Sequence, residues 1–238
     1  MKVAALDLGT NTFLCLIAEV EYGQIKKVYA DEVRVVRLGQ GVHATRLFHS
    51  EALIRARQCL QEYAALILRH DVQRIVAVTT SAARDVTNAD ELFKIGSELN
   101  IPIQIFSGDQ EAEFTFKGAF MGTPQSQEPK MVIDIGGGST EFIFGDQFSK
   151  TDQIENKISL DIGAVRLTEM FVTRHPISCE EQRIAEKHVR NELKKIVTMK
   201  KSGVRYHSVA VAGTPTTLAA VVQGVVFSPE KIDGYFLS

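Results

Sequence analysis

A chain of 238 residues, 45% hydrophobic and 24% charged, has the mass and composition of one large or two small soluble globular domains. With 27 Lys and Arg against 29 Asp and Glu, its formal net charge of −2 argues against DNA and other non-specific nucleic-acid binding, while leaving room for a locally basic cleft facing a polyanion. Three scattered cysteines, Cys15, Cys59 and Cys179, fit neither a disulfide framework nor a CxxC zinc site, and the expected location is the reducing cytoplasm.

The first element, "VAALDLGTNTF" (3–13), is an apolar strand that reaches Asp7, passes a small-residue turn and restarts as a second strand. Asp7 arrives too early for a signal-peptide core. Residues 25–36 are β-rich. A helix is expected over Ser50–His70, with Leu53, Ala56, Leu60, Tyr63 and Ile67 on its core face. "RIVAVTT" is a buried strand, "NADELFKIGSEL" a helix opened by Asn88 as N-cap, and "IPIQIF" a further strand. A helix then runs from Gly108 to about Met121. The polar, proline-flanked "GTPQSQEP" (122–129) reads as a linker, so the expected domains are 1–122 and 123–238.

The second half repeats the plan. "MVIDIGGGSTEF" (131–142) is again strand, Asp-x-Gly, small-residue turn and strand, a domain's length after the first. Helices near 163–172 and 178–200, a strand over 206–212 and the turn-to-helix "AGTPTTLAAVV" follow. The uncharged stretch Ser208–Pro229 is interrupted by Gly213, Pro215, threonines and Gln223, which argues against a membrane span. Strands alternating with helices in two matching halves predict an α/β fold of two domains.

A turn rich in glycine exposes backbone N–H groups that suit phosphate oxygens, and a carboxylate beside it calls for a cation such as Mg²⁺ between the two. Two such turns facing each other would line a phosphate cleft, and the helix start at Gly213 and Thr214 offers a third anion contact. Local chemistry leaves plainer readings open. An ordinary hairpin bend explains one glycine turn, and an acid in a helix's first turn is favourable without any catalysis.

The order DxGTNT, DIGGGSTE and GTPTT resembles the phosphate loops of the actin, sugar-kinase and heat-shock ATPase superfamily. With "TTSAAR" (79–84), "SGDQEAEF" (107–114) and "LDIGAVRLTEMF" (160–171), the chain resembles the exopolyphosphatase/guanosine-pentaphosphate phosphohydrolase (Ppx/GppA) family. That resemblance implies two actin-like, ribonuclease H-like domains facing a central cleft, and hydrolysis of polyphosphate or guanosine pentaphosphate. It implies Glu111 as the base that activates water, and Asp134 and Glu141 as Mg²⁺ ligands with Asp7 as a further candidate. Gly136, Gly137, Gly138 and Ser139 would cradle phosphate, with Gly9, Thr10, Asn11 and Thr12 opposite and Arg84 as a clamp. Gln110 stands where family members commonly carry an acid. Members usually continue past "GYxLS", so the second domain is expected to be incomplete at its C-terminus, with the apolar helix after "AGTPTT" loosened or buried in a homodimer. A binding module without turnover and an ATP-using kinase are the rival readings.

Overall fold

The computed structural model describes residues 1–121, 128–145, 154–197, 199 and 203–237. Contacts divide the chain into two compact units, Met1–Gly108 and Asp109–Ser238.

The first unit is a sheet in the order β3-β2-β1-β4-β5, from β1 (Lys2–Leu8), β2 (Thr12–Glu21), β3 (Gln24–Val35), β4 (Arg74–Thr79) and β5 (Ile103–Ile105). The pairs β1–β2 and β2–β3 are antiparallel, whereas β1–β4 and β4–β5 are parallel. Strand alternation decides what each face carries: Ala4, Leu6 and Leu8 of β1 are buried, while Ala5 and Asp7 point the other way and are exposed. Four helices complete the unit, α1 (Val42–Thr45), α2 (Ser50–Arg69), α3 (Ser81–Arg84) and α4 (Ala89–Glu98). The core joins the buried face of β1 to Phe13, Cys15 and Ile17 of β2, Leu53, Ala56, Leu60 and Tyr63 of α2, and Leu92 and Ile95 of α4. The expected stripe of α2 is therefore the one that is buried, with Ile67 at its half-buried margin. Tyr63 satisfies its hydroxyl inside this core by donating to the Phe13 carbonyl at 2.8 Å.

Asn88 corrects an expectation. It stands at the start of α4 but makes no side-chain cap bond. Its amide oxygen instead accepts from Phe48 N at 2.8 Å and its nitrogen donates to Phe48 O at 3.2 Å, stapling the loop before α2 to the start of α4. A backbone partner 40 residues away won over the local one, a contact that local pattern does not reveal.

The second unit opens with α5 (Gly108–Ala119) and has the sheet order β8-β7-β6-β9, from β6 (Lys130–Ile135), β7 (Thr140–Gly145), β8 (Ile154–Leu160) and β9 (His207–Val211). This is the order β3-β2-β1-β4 again, with the same antiparallel and parallel pairings. The internal echo of the sequence is thus a repeat of topology. Helices α6 (Ala164–Phe171), α7 (Cys179–Val197), α8 (Gly213–Gln223) and α9 (Pro229–Ile232) complete it.

Ala112 and Phe116 of α5, with Phe120 just past its end, pack on Val132 and Ile143, with Val209 and Val211 alongside. The fit is tight, since a Cβ on Gly145 would sit 2.1 Å from the Phe116 ring. The boundary expected at residue 122 falls after α5, whereas the compact units divide before Asp109, because the apolar face of α5 finds its partners on the second sheet. Most of the expected linker, residues 122–127, lies outside the described residues. Among the described residues no helix is long and apolar enough to cross a membrane, and the uncharged stretch from Ser208 becomes most of β9 and the whole of α8.

Candidate functional site

Parallel strands β6 and β9 run side by side, with Asp134 opposite Val211, and both end at one edge of the second sheet. The glycine turn 136–139 and the start of α8 are therefore neighbours at the carboxyl ends of the strands, the edge where open α/β sheets bind ligands.

The turn closes on itself through Gly136 N to Ser139 O at 3.0 Å. Its carbonyls are tied behind it: Ala164 N donates to Gly136 O at 3.0 Å, and Val165 N and Arg166 N donate to Gly137 O at 2.9 and 3.0 Å. Arg166 Nε donates to Gly138 O at 2.7 Å. In a planar trans peptide the C=O and the following N–H point opposite ways. Holding these three carbonyls toward α6 turns the amides of Gly137, Gly138 and Ser139 away from it, and among the described residues those amides donate to no protein acceptor. Outward amides in succession suit the oxygens of an anion. Gly136 is not in the left-handed region, and a Cβ there would make only ordinary contact with Ser139 O at 3.4 Å. Backbone strain therefore does not demand glycine at this position.

Asp134 and Glu141 face each other across the β6–β7 ladder, on the sheet face that also carries Val132 and Ile143. Ser159, opposite Glu141 on β8, donates to its Oε1 at 2.7 Å. Helix α5 covers this same face through Ala112 and Phe116, and Asp109 at its start pairs with Lys157 of β8. Glu111, in the first turn of α5 and half-buried, thus rides on the helix that covers the face of Asp134 and Glu141. Two carboxylates directly opposed on a ladder repel unless a cation lies between them, and hard oxygen donors fit Mg²⁺, which keeps several waters and few protein ligands. Among the described residues no group of three or more Asp, Glu, His or Cys side chains gathers closely enough to hold a metal ion, so a metal here would lean on this pair together with ligand oxygens and water.

At the start of α8, Thr216 and Thr217 spend their hydroxyls on the carbonyls of Ala212 and Gly213, whereas the Thr214 hydroxyl has no partner among the described residues. Ala212 precedes it at φ 74°, a backbone region that residues with a Cβ rarely adopt.

The first unit builds a related turn. Gly9 N donates to Thr12 O at 3.1 Å, as Gly136 N does to Ser139 O. Gly39 N holds the Thr10 carbonyl at 2.8 Å and Val36 N and Arg37 N hold that of Asn11, so the Asn11 amide points the other way. Thr10 Oγ1 lies 3.3 Å from Ser81 Oγ, joining the turn to α3. Arg84, at the end of α3 and exposed, donates through Nη1 to Phe106 O at 2.7 Å. The structure so groups the expected residues in two sets: Asp7, Gly9, Thr10, Asn11, Thr12 and Arg84 on the first unit, and Glu111, Asp134, Gly136, Gly137, Gly138, Ser139, Glu141, Gly213 and Thr214 on the second. Of the three metal candidates, Asp7 belongs to the first unit and Asp134 and Glu141 to the second.

A sequence model of the Ppx/GppA phosphatase family matches residues 16–233. The chain belongs to the Ppx/GppA phosphatase family. Exopolyphosphatase 2 of Mycobacterium tuberculosis is 37% identical over 233 residues, covering 94% of this chain and 72% of that protein. The solved PPX-GPPA enzyme of Aquifex aeolicus is 32% identical with a TM-score of 0.74, covering 99% of this chain and 76% of that one. The ethanolamine utilization protein EutJ of Carboxydothermus hydrogenoformans, at 15% identity and a TM-score of 0.51 over 88% of this chain and 76% of its own, shares the fold alone. The architecture is accordingly the α/β, actin-like fold of this family.

Sequence reasoning singled out the glycines and acids of this Ppx/GppA chain and missed what holds them. Gly163 and Arg166 lie behind the turn, and Ser159 donates to Glu141. The one available signal was the small residue followed three positions later by arginine in "GAVR", inside a segment read only as a family signature.

Proposed function

We propose that this Ppx/GppA chain is a Mg²⁺-dependent phosphohydrolase that releases the terminal phosphate of inorganic polyphosphate or of guanosine pentaphosphate. The observation that carries the proposal is the 136–139 turn, whose amides face away from their own unit's helix beside two opposed carboxylates. The relative named as an exopolyphosphatase supports the substrate class. In the reaction, water attacks the terminal phosphorus, the bridging P–O bond breaks, and the water proton passes to the Glu111 carboxylate. The amides of Gly137, Gly138 and Ser139, with the start of α8 at Gly213 and Thr214, would take the charge that grows on the transferred oxygens. Arg84 suits phosphate oxygens on the first unit, where its guanidinium can bond them in a forked pair. Mg²⁺ held by Asp134 and Glu141 would neutralise the polyanion against these acids.

The test is purified protein with Mg²⁺, given polyphosphate, guanosine pentaphosphate or ATP in turn, with phosphate release and binding followed together. Release from one of the first two, abolished by EDTA, is the expected result; binding without release would make the chain a binding module. Glu111→Gln should keep the fold and the binding while lowering turnover by about 10²–10⁴-fold. An unchanged rate in that variant would remove Glu111 from the reaction.

A further inference from the structure

We propose that Arg166 is a positioning residue that sets which side of the Gly138–Ser139 peptide faces the bound phosphate. The inference rests on the phosphohydrolase reading for its chemistry, but its geometry is independent of it. Turning this peptide over changes ψ of Gly138, where no Cβ resists, and φ of Ser139, where one does, so a firm hold on the Gly138 carbonyl adds to the preference of Ser139. A turned-over peptide would aim a carbonyl oxygen, in place of an N–H, at an anion. The first two peptides of the turn are secured by backbone donors, Ala164 N on Gly136 O and Val165 N with Arg166 N on Gly137 O. The third is held from behind by the side chain of Arg166, whose Nε donates to Gly138 O at 2.7 Å.

The arginine is built for the task. Its side chain is only 17% exposed, and its Nη2 lies 3.3 Å from Oδ1 of the exposed Asp161, just past the end of β8. Gly163 clears the way, since a Cβ there would stand 2.4 Å from Gly137 O and 2.6 Å from the Gly138 carbonyl carbon. Helix α6 can therefore press its first turn against the back of the glycine run. A charged donor on Gly138 O also polarises the same peptide, strengthening the Ser139 N–H as a donor on the opposite side.

The experiment uses the full chain labelled with ¹⁵N and titrated with inorganic phosphate, with the amide signals of Gly137, Gly138 and Ser139 followed by NMR. Arg166→Met keeps the aliphatic stem and removes the donors, while Arg166→Lys keeps one. In the wild type the three amides should shift on phosphate addition. In Arg166→Met the Ser139 response should be lost, phosphate affinity should fall about 10-fold, and turnover on polyphosphate should fall about 10- to 100-fold with the melting transition still cooperative. Arg166→Lys should restore part of both. A general structural role would instead lower the melting temperature and perturb all three amides alike, with no rescue by lysine. The proposal is overturned if Arg166→Met keeps the wild-type Ser139 shift and affinity, or if phosphate leaves the wild-type turn amides unmoved. If the wild type binds phosphate through these amides with the Arg166 dependence but releases none from polyphosphate, the hydrolase reading fails and the positioning role stands.

Discussion

Asp134 and Glu141 are separated by a turn in sequence and opposed on a ladder in space, and that opposition has an energetic consequence. Like charges directly across a strand pair are destabilising, on the scale of the roughly 0.2–1 kcal/mol that a favourable cross-strand pair contributes. Glu141→Gln keeps an oxygen for the Ser159 hydroxyl and removes one charge. In EDTA this variant should be as stable as the wild type or more stable by that amount, whereas the wild type alone should gain melting temperature on adding Mg²⁺. Thermal melts with and without Mg²⁺ check both, and a wild-type melting temperature indifferent to Mg²⁺ would remove the cation from this pair. Asp134 was legible in the sequence because it ends an apolar strand just before the glycine turn, whereas Glu141 was named by the family resemblance alone. Their opposition was not, because strand register depends on how the hairpin closes.

At the scale of single elements, α7 shows how a helix start is stabilised by its own sequence. Ser178 and Glu181 form a reciprocal cap: Glu181 N donates to Ser178 Oγ at 3.2 Å, and Ser178 N and Oγ donate to Glu181 Oε2 at 2.8 and 2.6 Å. Thr173 adds two more donors to the other carboxylate oxygen. The hydroxyls of Ser178 and Thr173, then their amides, hold the Glu181 carboxyl down at about 2 against an ordinary 4.5. A depressed carboxyl contributes stability above its unfolded value and loses it as pH falls through the folded one. Amide protection at Thr173 and Ser178 should therefore decline between pH 4.5 and 2. Ser178→Ala should move the Glu181 midpoint up toward its ordinary value, as read from a carboxyl NMR titration. A midpoint unmoved in that variant would show that Ser178 does not hold the acid. This S-x-x-E spacing is readable from sequence because its partners are three residues apart. Asn88 failed the same reading because Phe48, from a distant loop, took its side chain.

For the whole molecule, the organising fact is that the buried clusters do not share residues. One joins the first sheet to α2 and α4, another joins α5 to the second sheet, and a third lies between α8 and α9. A five-stranded sheet with two helices on its core is large enough to be stable alone. Residues Met1–Gly108 expressed without the rest should fold cooperatively, with a dispersed amide spectrum and Cys15 and Cys59 protected from alkylation. Burial supports that protection, since it pushes both thiols up to about 11. A fragment that stays disordered would show that the first core depends on the second unit.

The sequence by itself determined the α/β class, the two matching halves and the turns that expose backbone amides, because these are written in local periodicity and in an internal echo. Its family resemblance named the residues to watch. Tertiary structure decided the rest. Helix α5 joined the second unit because its apolar stripe fits Val132 and Ile143, which no local pattern states. The direction of the glycine-turn amides was decided by the start of α6 and by Arg166, which lies 28 residues from the carbonyl it holds. A peptide between two glycines has little preference for either side, so the donors packed behind the turn are what choose one.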